Sequence, residues 1–334
     1  MTIFWLVVFV VSLFVLVKGV DWLIESAERL GLAVGLSPFI IGVTIVSIGT
    51  SLPELVVSLV SVWQGVTEVV AANAIGSNVA NILLVVGVAS IAGKQLMVSK
   101  SLIDLDLPLL AASTIIFAIV VFDGVVTFGE ALLMFSAFVI YILYTILYKE
   151  VSDSLELKEV NPHLNNQSLD NNTALEKDDQ SKEKSNWSGW DFVFLVIGSL
   201  GIAFGSKYLV DALVELSLIF NVAVGVITII AVALGTSLPE LLVSIKAALR
   251  GNSEVALGNI FGSNVFNILM VVGIPGLFNT LILDEQTLTI GLPVMVLATF
   301  LFVISGISRR IHAWEGAFYL VLYLLFIAKL FEWF

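Results

Sequence analysis

The residues GTSLPE occupy positions 49–54 and recur letter for letter at positions 235–240. Each copy lies inside a run of Val, Ile, Leu and Ala, where a proline and a glutamate are both out of place. Pro53 and Pro239 carry no N–H, so the carbonyls of Gly49 and Gly235 lose their partner four residues on, and the crowded turn loosens those of Thr50 and Thr236. Glu54 and Glu240 put a carboxylate at mid-span, at a cost of about 2.5–3.5 kcal/mol for each charged residue. Neither has a Lys or Arg at that depth in its own apolar run. Two facing carboxylates then need protons or a cation to balance them.

The available donors are oxygens. Four carboxylate oxygens from two bidentate glutamates and the two loosened threonine carbonyls reach the lower end of what Ca²⁺ takes, at about 2.3–2.6 Å in a forgiving geometry. Mg²⁺ prefers a tighter octahedron and keeps its waters, and Zn²⁺ calls for His or Cys. The chain has no cysteine, and its two histidines, His163 and His312, fall in polar connecting segments. Asn73, Ser77 and Asn81 recur every fourth residue, and Asn259, Ser263 and Asn267 repeat the pattern, which makes a polar stripe on one helix face in each case. Such neutral oxygens beside carboxylates suit Na⁺ as well. Ser51 and Ser237 precede the glutamates by three positions and share their face, whereas Gly76 and Gly262 read as close-packing residues.

The elements that hold these groups are membrane spans. In 334 residues, 59% are hydrophobic and 13% charged, a composition of polytopic membrane proteins. Apolar runs predict ten helices, at about 3–24, 36–62, 69–92, 105–122, 130–148, 190–210, 219–245, 255–278, 287–305 and 313–331. The first reads as an uncleaved span, because no Lys or Arg precedes Lys18 and no small-residue cleavage site follows. Residues 149–189 hold nine acids and five lysines among many Asn and Ser, and read as a disordered acidic loop. Much of the net charge of −12 resides there and at span ends, so it names no partner.

That loop separates two halves, 1–148 and 190–334, that repeat. A shift of 186 residues lays 49–87 on 235–273 with 23 identities in 39 positions, keeping GTSLPEL, Asn73/Asn259 and the GSNV runs in one register. Five spans per half make the second copy enter the membrane from the opposite side, so the expected fold is all-α, with two inverted five-helix repeats and helices broken at the midplane. Arg29, Lys94, Lys100, the loop lysines, Arg250, Arg309 and Arg310 fall on one side of this drawing. The positive-inside rule makes that side cytoplasmic, with both termini outside. Glu25 and Asp211 match by register but sit near span ends, where an interfacial role is expected. Asp104, Asp106, Asp123, Glu130, Asp284 and Glu285 are expected to be solvated.

The GTSLPE and GSNVxN segments resemble the alpha-repeats of the cation/Ca²⁺ exchanger superfamily, and in particular its prokaryotic sodium/calcium exchangers. The resemblance covers nearly all the spans. It implies Ca²⁺ held by Glu54 and Glu240, and Na⁺ sites from Ser47, Thr50, Ser51, Ser77 and Asn81 with Ala233, Thr236, Ser237, Ser263 and Asn267. Asn267 departs from the Asp often found there in microbial and potassium-dependent relatives, which disfavours potassium co-transport. GTSLPE also differs from the GN-x-x-E pattern of the proton/calcium branch, and the loop is too short for a calcium-sensing β-sandwich, which needs about 100 residues.

The expected function is a secondary antiporter exchanging Na⁺ for Ca²⁺ in a cell membrane, and not an enzyme. No HExxH motif, cysteine nucleophile or Ser-His pair falls at one depth. A proton/Ca²⁺ antiporter is the alternative within transport, and a cation channel with an acidic constriction is the alternative beyond it. The implied partners are the two ions and the bilayer. No cofactor, nucleic acid or protein partner is called for.

Overall fold

A computed structural model describes residues 2–36, 38–65, 67–98, 106–159, 188–219 and 235–330. The apolar runs are helices: α1 (Thr2–Ala33), α2 (Pro38–Trp63), α3 (Glu68–Ala92), α4 (Leu107–Val120), α5 (Phe128–Glu159), α6 (Gly189–Ile219), α7 (Gly235–Leu249), α8 (Ser253–Gly276), α9 (Thr287–Ile307) and α10 (Ala313–Leu330). Seven helices among the described residues, those at α1, α2, α3, α5, α8, α9 and α10, are long and apolar enough to cross a membrane, and α4 and the first part of α6 are shorter apolar helices. The chain is a helical polytopic membrane protein. The first part of the seventh expected span, with Ala233, lies outside the described residues.

Three helices run further than their expected spans, one of them α6, which reaches Ile219. α1 continues through Glu25–Arg29 until Gly35, at φ +84°, where Leu36 N–H returns to the carbonyl of Gly31 at 2.8 Å. α5 continues past residue 148 to Glu159, so the opening of the expected disordered loop is helical. Val, Leu, Glu and Lys dominate there, and no Pro or Gly occurs before Pro162.

The expected breaks take a particular form. The chain keeps its helical course through Pro53 and Pro239, so the interruption there is one of hydrogen bonding rather than of path. Departures from α geometry come instead as π turns at Gly42–Val46 in α2, Ala80–Val85 in α3, Asn267–Val271 in α8 and Thr287–Gly291 in α9. The first three adjoin or contain Ser47, Asn81 and Asn267. π turns inside α-helices gather at functional sites.

Two short antiparallel ribbons tie connecting loops together. β1 (Gln95–Met97) pairs with β4 (Arg310–His312), and β2 (Val125–Val126) with β3 (Leu281–Ile282). Ile282 N–H also donates to Thr67 Oγ1 at 3.3 Å. Each ribbon joins loops that the span order assigns to one side, and the cationic Lys94, Arg309 and Arg310 meet around the first.

The main apolar core is shared by α3, α4, α5, α8, α9 and α10. A second core, built on Leu16, Val20, Leu23, Ile24 and Ala27 of α1 and Ile202 of α6, meets Ile41 and Val46 of α2 and Val243 of α7. Small residues set the closest crossings. A methyl at Gly19 would come within 2.8 Å of the Gly198 carbonyl in α6, and one at Gly258 in α8 within 2.6 Å of the Phe39 carbonyl in α2. Without those hydrogens for side chains the helices would stand further apart.

Candidate ion site

α2 and α7 carry the two GTSLPE segments, and α3 and α8 carry the polar stripes, so four helices supply the site. Glu54 is 1% exposed and Glu240 fully buried. The two carboxylates lie close enough for their charges to interact. Ser47, Thr50, Ser51, Ser77, Asn81, Ser237, Ser263 and Asn267 are buried as well. The Thr236 backbone is helical in α7, but its side chain and Ala233 lie outside the described residues.

Hydrogen bonds cross between the halves of the chain. Ser51 Oγ donates to Glu240 Oε1 at 2.8 Å, and Ser263 Oγ reaches the same oxygen at 3.5 Å. Thr50 Oγ1 donates to Asn259 Oδ1 at 3.2 Å and lies 3.4 Å from Ser263 Oγ. Ser47 instead bonds its own helix, at 2.7 Å to the Val43 carbonyl within the π turn. Around these, a set of buried polar atoms has no hydrogen-bond partner among the described residues: both oxygens of Glu54, Oε2 of Glu240, Oγ of Ser237 and both amide atoms of Asn81 and Asn267. Buried carboxylates and amides left this way are costly unless something else satisfies them. Oxygens of carboxylate, hydroxyl and amide fit a hard cation. Among the described residues no group of three or more His, Cys, Asp or Glu side chains could hold a metal, so two acids and neutral oxygens are the donor set.

A basic residue does occur within reach of the second glutamate along the chain. Lys246, six positions after Glu240, is turned to α1, with Nζ at 2.7 Å from Asp21 Oδ1. It is engaged away from the carboxylate pair.

Sequence reasoning put Asn73 and Asn259 in the stripes without a role. Asn73 Nδ2 donates to the Glu54 carbonyl and to Ser58 Oγ, each at 3.1 Å. Asn259 Nδ2 repeats both bonds, to the Glu240 carbonyl at 3.4 Å and Ser244 Oγ at 3.1 Å. They fix the backbone of the glutamates, and the signal that could have found them is their constant distance of 19 residues from each. The GSN asparagines join the halves, Asn78 Nδ2 donating to the Asn264 carbonyl at 3.1 Å.

One expectation changes. Asp106, expected in solvent, is 2% exposed at the start of α4. Of the two GSNV glycines, Gly262 packs against Val43 and Ser47 of α2 as expected, whereas nothing among the described residues lies within 4 Å of a methyl at Gly76. The repeat carries its partners to residues 229 and 233, outside the described residues. Glu25, exposed on α1, pairs with Arg250 at 3.8 Å.

Helices broken in their hydrogen bonding, with two buried acids among neutral oxygens, form an arrangement suited to passing cations across a membrane. The chain belongs to the sodium/calcium exchanger protein family, whose model matches residues 4–147 and 190–331, one segment in each half. It is 31% identical to the sodium/calcium exchanger MaX1 of Methanosarcina acetivorans over 97% of each chain, and 30% identical to the putative antiporter CaxA of Alkalimonas amylolytica over 94% of each. Among solved structures it is similar to the sodium-calcium exchanger NCX_Mj soaked without Na⁺ and Ca²⁺, with a TM-score of 0.78 and 29% identity over 99% of this chain and 100% of that one. The same exchanger soaked with 2.5 mM Na⁺ and 0.1 mM Ca²⁺ matches equally, at a TM-score of 0.78.

Proposed function

We propose that this protein is a secondary active antiporter that exchanges Na⁺ for Ca²⁺ by alternating access, through one site shared by the two ions. Glu54 and Glu240 hold Ca²⁺. Thr50, Ser51, Ser77, Asn81, Thr236, Ser237, Ser263 and Asn267, with Ser47 and Ala233 at the margin, line the Na⁺ positions. The observation that carries this reading is the set of buried, unpartnered oxygens around Glu54 and Glu240.

Coupling follows from the charge. An empty site leaves two carboxylates unbalanced in a low dielectric, which makes the switch between access states costly, whereas Ca²⁺ or a set of Na⁺ ions cancels the charge and lets it proceed. α1 and α6, which bring no residue to the donor set, move as a pair against the other helices. The close glycine crossing between them, Gly19 against Gly198, fits two helices that move together. In this reading the chain crosses a cell membrane ten times in two inverted halves, with both termini outside and the segment after α5 in the cytoplasm.

The test is uptake of radiolabelled Ca²⁺ into proteoliposomes under an imposed Na⁺ gradient, with K⁺ and pH held equal across the membrane. Uptake that follows the Na⁺ gradient is expected. Uptake that ignores Na⁺ and follows a pH gradient would make this a proton/Ca²⁺ antiporter, and ion currents without any counter-ion would make it a channel.

A further inference from the structure

A ladder of charges outside the pocket joins α1 to α7. Asp21, Glu25 and Glu28 recur along one face of α1, opposite Lys246 and Arg250 in the last turns of α7 and Asn252 at the start of α8. Lys246 Nζ stands 2.7 Å from Asp21 Oδ1 and donates to the Val17 carbonyl at 3.1 Å. Arg250 Nη2 is 3.8 Å from both Asp21 Oδ1 and Glu25 Oε1. Asn252 Nδ2 donates to Glu28 Oε1 at 3.3 Å. The partners advance together along both helices, so α1 and α7 run in the same direction. At the end of α1, Arg29 Nε meets Asp191 Oδ1 of α6 at 2.7 Å. α1 and α6 are thus fastened to each other, and through the ladder to the helix that carries Glu240.

The repeat does not reproduce this ladder. A shift of 186 carries Asp21, Glu25 and Glu28 to Lys207, Asp211 and Val214, and carries Lys246, Arg250 and Asn252 back to Val60, Gln64 and Val66. Opposite charges cannot meet across those positions. A fold built of two like halves therefore has this ionic ladder on one rim, the rim that holds Arg29, Lys94 and Arg309, and not at the matching positions of the other.

We propose that this ladder is a one-sided latch, which holds the cytoplasmic rim shut at rest and parts once in each transport cycle, so that Asp21 and Lys246 are positioning residues for exchange. The proposal rests on α1 and α6 being the moving pair. The side chains of Lys246 and Asp21 are only 23% and 25% exposed, so salt screens their attraction less than that of a surface pair. Arg250 adds a second, weaker hold nearer the rim. Charged pairs inside membrane helices and apart from the ion path are rare enough to call for a role, and one that ties a mobile pair of helices to the site-bearing core has an evident one.

The absence of cysteine in this chain allows a clean test. A single cysteine at Ala27, which is buried on α1 beside the ladder, is labelled with a membrane-impermeant maleimide added from the cytoplasmic side of vesicles holding the full chain. In the Ala27→Cys parent the reaction is expected to be slow. Asp21→Asn and Lys246→Gln should each speed it by about fivefold or more, and the charge swap Asp21→Lys with Lys246→Asp should return it toward the parent's rate. Glu25→Gln, at an exposed position, should give a smaller rise and remains readable where the buried variants fail to fold. Unchanged labelling in the single variants, or a swap that labels as fast as they do, overturns the latch. Labelling is compared at one fixed ion composition, so its reading does not require that flux be driven by Na⁺. A parent that shows the latch pattern without Na⁺-driven Ca²⁺ flux sinks the exchanger reading alone, and one with flux but no labelling response sinks the latch alone.

Discussion

Ser51 of the first half donates to Glu240 of the second at 2.8 Å, while among the described residues its repeat mate Ser237 has no partner and both oxygens of Glu54 stand unbonded. The two half-sites are alike in sequence and unlike in bonding. Ser51→Ala should therefore lower the stability of the ion-free protein by about 1–3 kcal/mol, the scale for stranding a buried acceptor, and Ser237→Ala should leave it nearly unchanged. Thermal unfolding in detergent without Na⁺ or Ca²⁺ separates the two, and equal shifts would contradict the asymmetry.

Glu54→Gln and Glu240→Gln keep size and remove charge. Each should bring Na⁺-driven Ca²⁺ uptake to background while raising the melting temperature of the ion-free protein, because an unbalanced buried carboxylate is itself destabilising. Saturating Ca²⁺ should stabilise the parent by about 2.7 kcal/mol at a hundredfold excess over its dissociation constant, and should no longer stabilise either variant. Melting curves with and without Ca²⁺ report this directly.

Asn73→Ala deletes two bonds and Asn259→Ala three, in each case including the one to the carbonyl of the neighbouring glutamate. A loss of about 1 kcal/mol per bond is expected. Because the glutamates themselves remain, Ca²⁺ should still bind, more weakly, and calorimetric titration should find reduced affinity rather than none.

Gly258→Ala would press a methyl to 2.6 Å from the backbone of α2. Backbone cannot rotate away as a flexible side chain can, so a cost of about 1–3 kcal/mol is expected, with exchange reduced as α2 is displaced. Gly129→Ala, with nothing described within 4 Å of its added methyl, serves as the comparison and should melt with the parent.

Much of this molecule was readable in its letters, and what was not has a common cause. The GTSLPE repeat, the stripes at Asn73 and Asn259 and the apolar runs are local patterns, and each led to the right helix. The π turns at Gly42–Val46, Ala80–Val85 and Asn267–Val271 have no composition of their own, since they answer to packing around the site. Asp106 looked like a solvated residue because neighbouring acids and a proline surround it in sequence, whereas its burial is set by the helices folded over it. Lys246 and Asp21 are separated by 225 positions, and no periodicity joins them. Even the carboxylate pair was legible only as two identical motifs; that Ser51 serves one of them, and no described residue the other, is a property of the folded state.

The paired ribbons act as hoops. Gln95–Met97 with Arg310–His312 and Val125–Val126 with Leu281–Ile282 bind the frame at two levels, and neither strand pair includes a residue of α1 or α6. In the proposed exchange a hooped frame resists lateral swelling, so the shape change that accompanies ion passage would fall on the two helices outside the hoops, whose Val10, Phe14 and Phe204 stand outward. Bilayer thickness and acyl-chain order would then act on turnover through that flank, and leave the frame and its resting affinity for ions largely untouched.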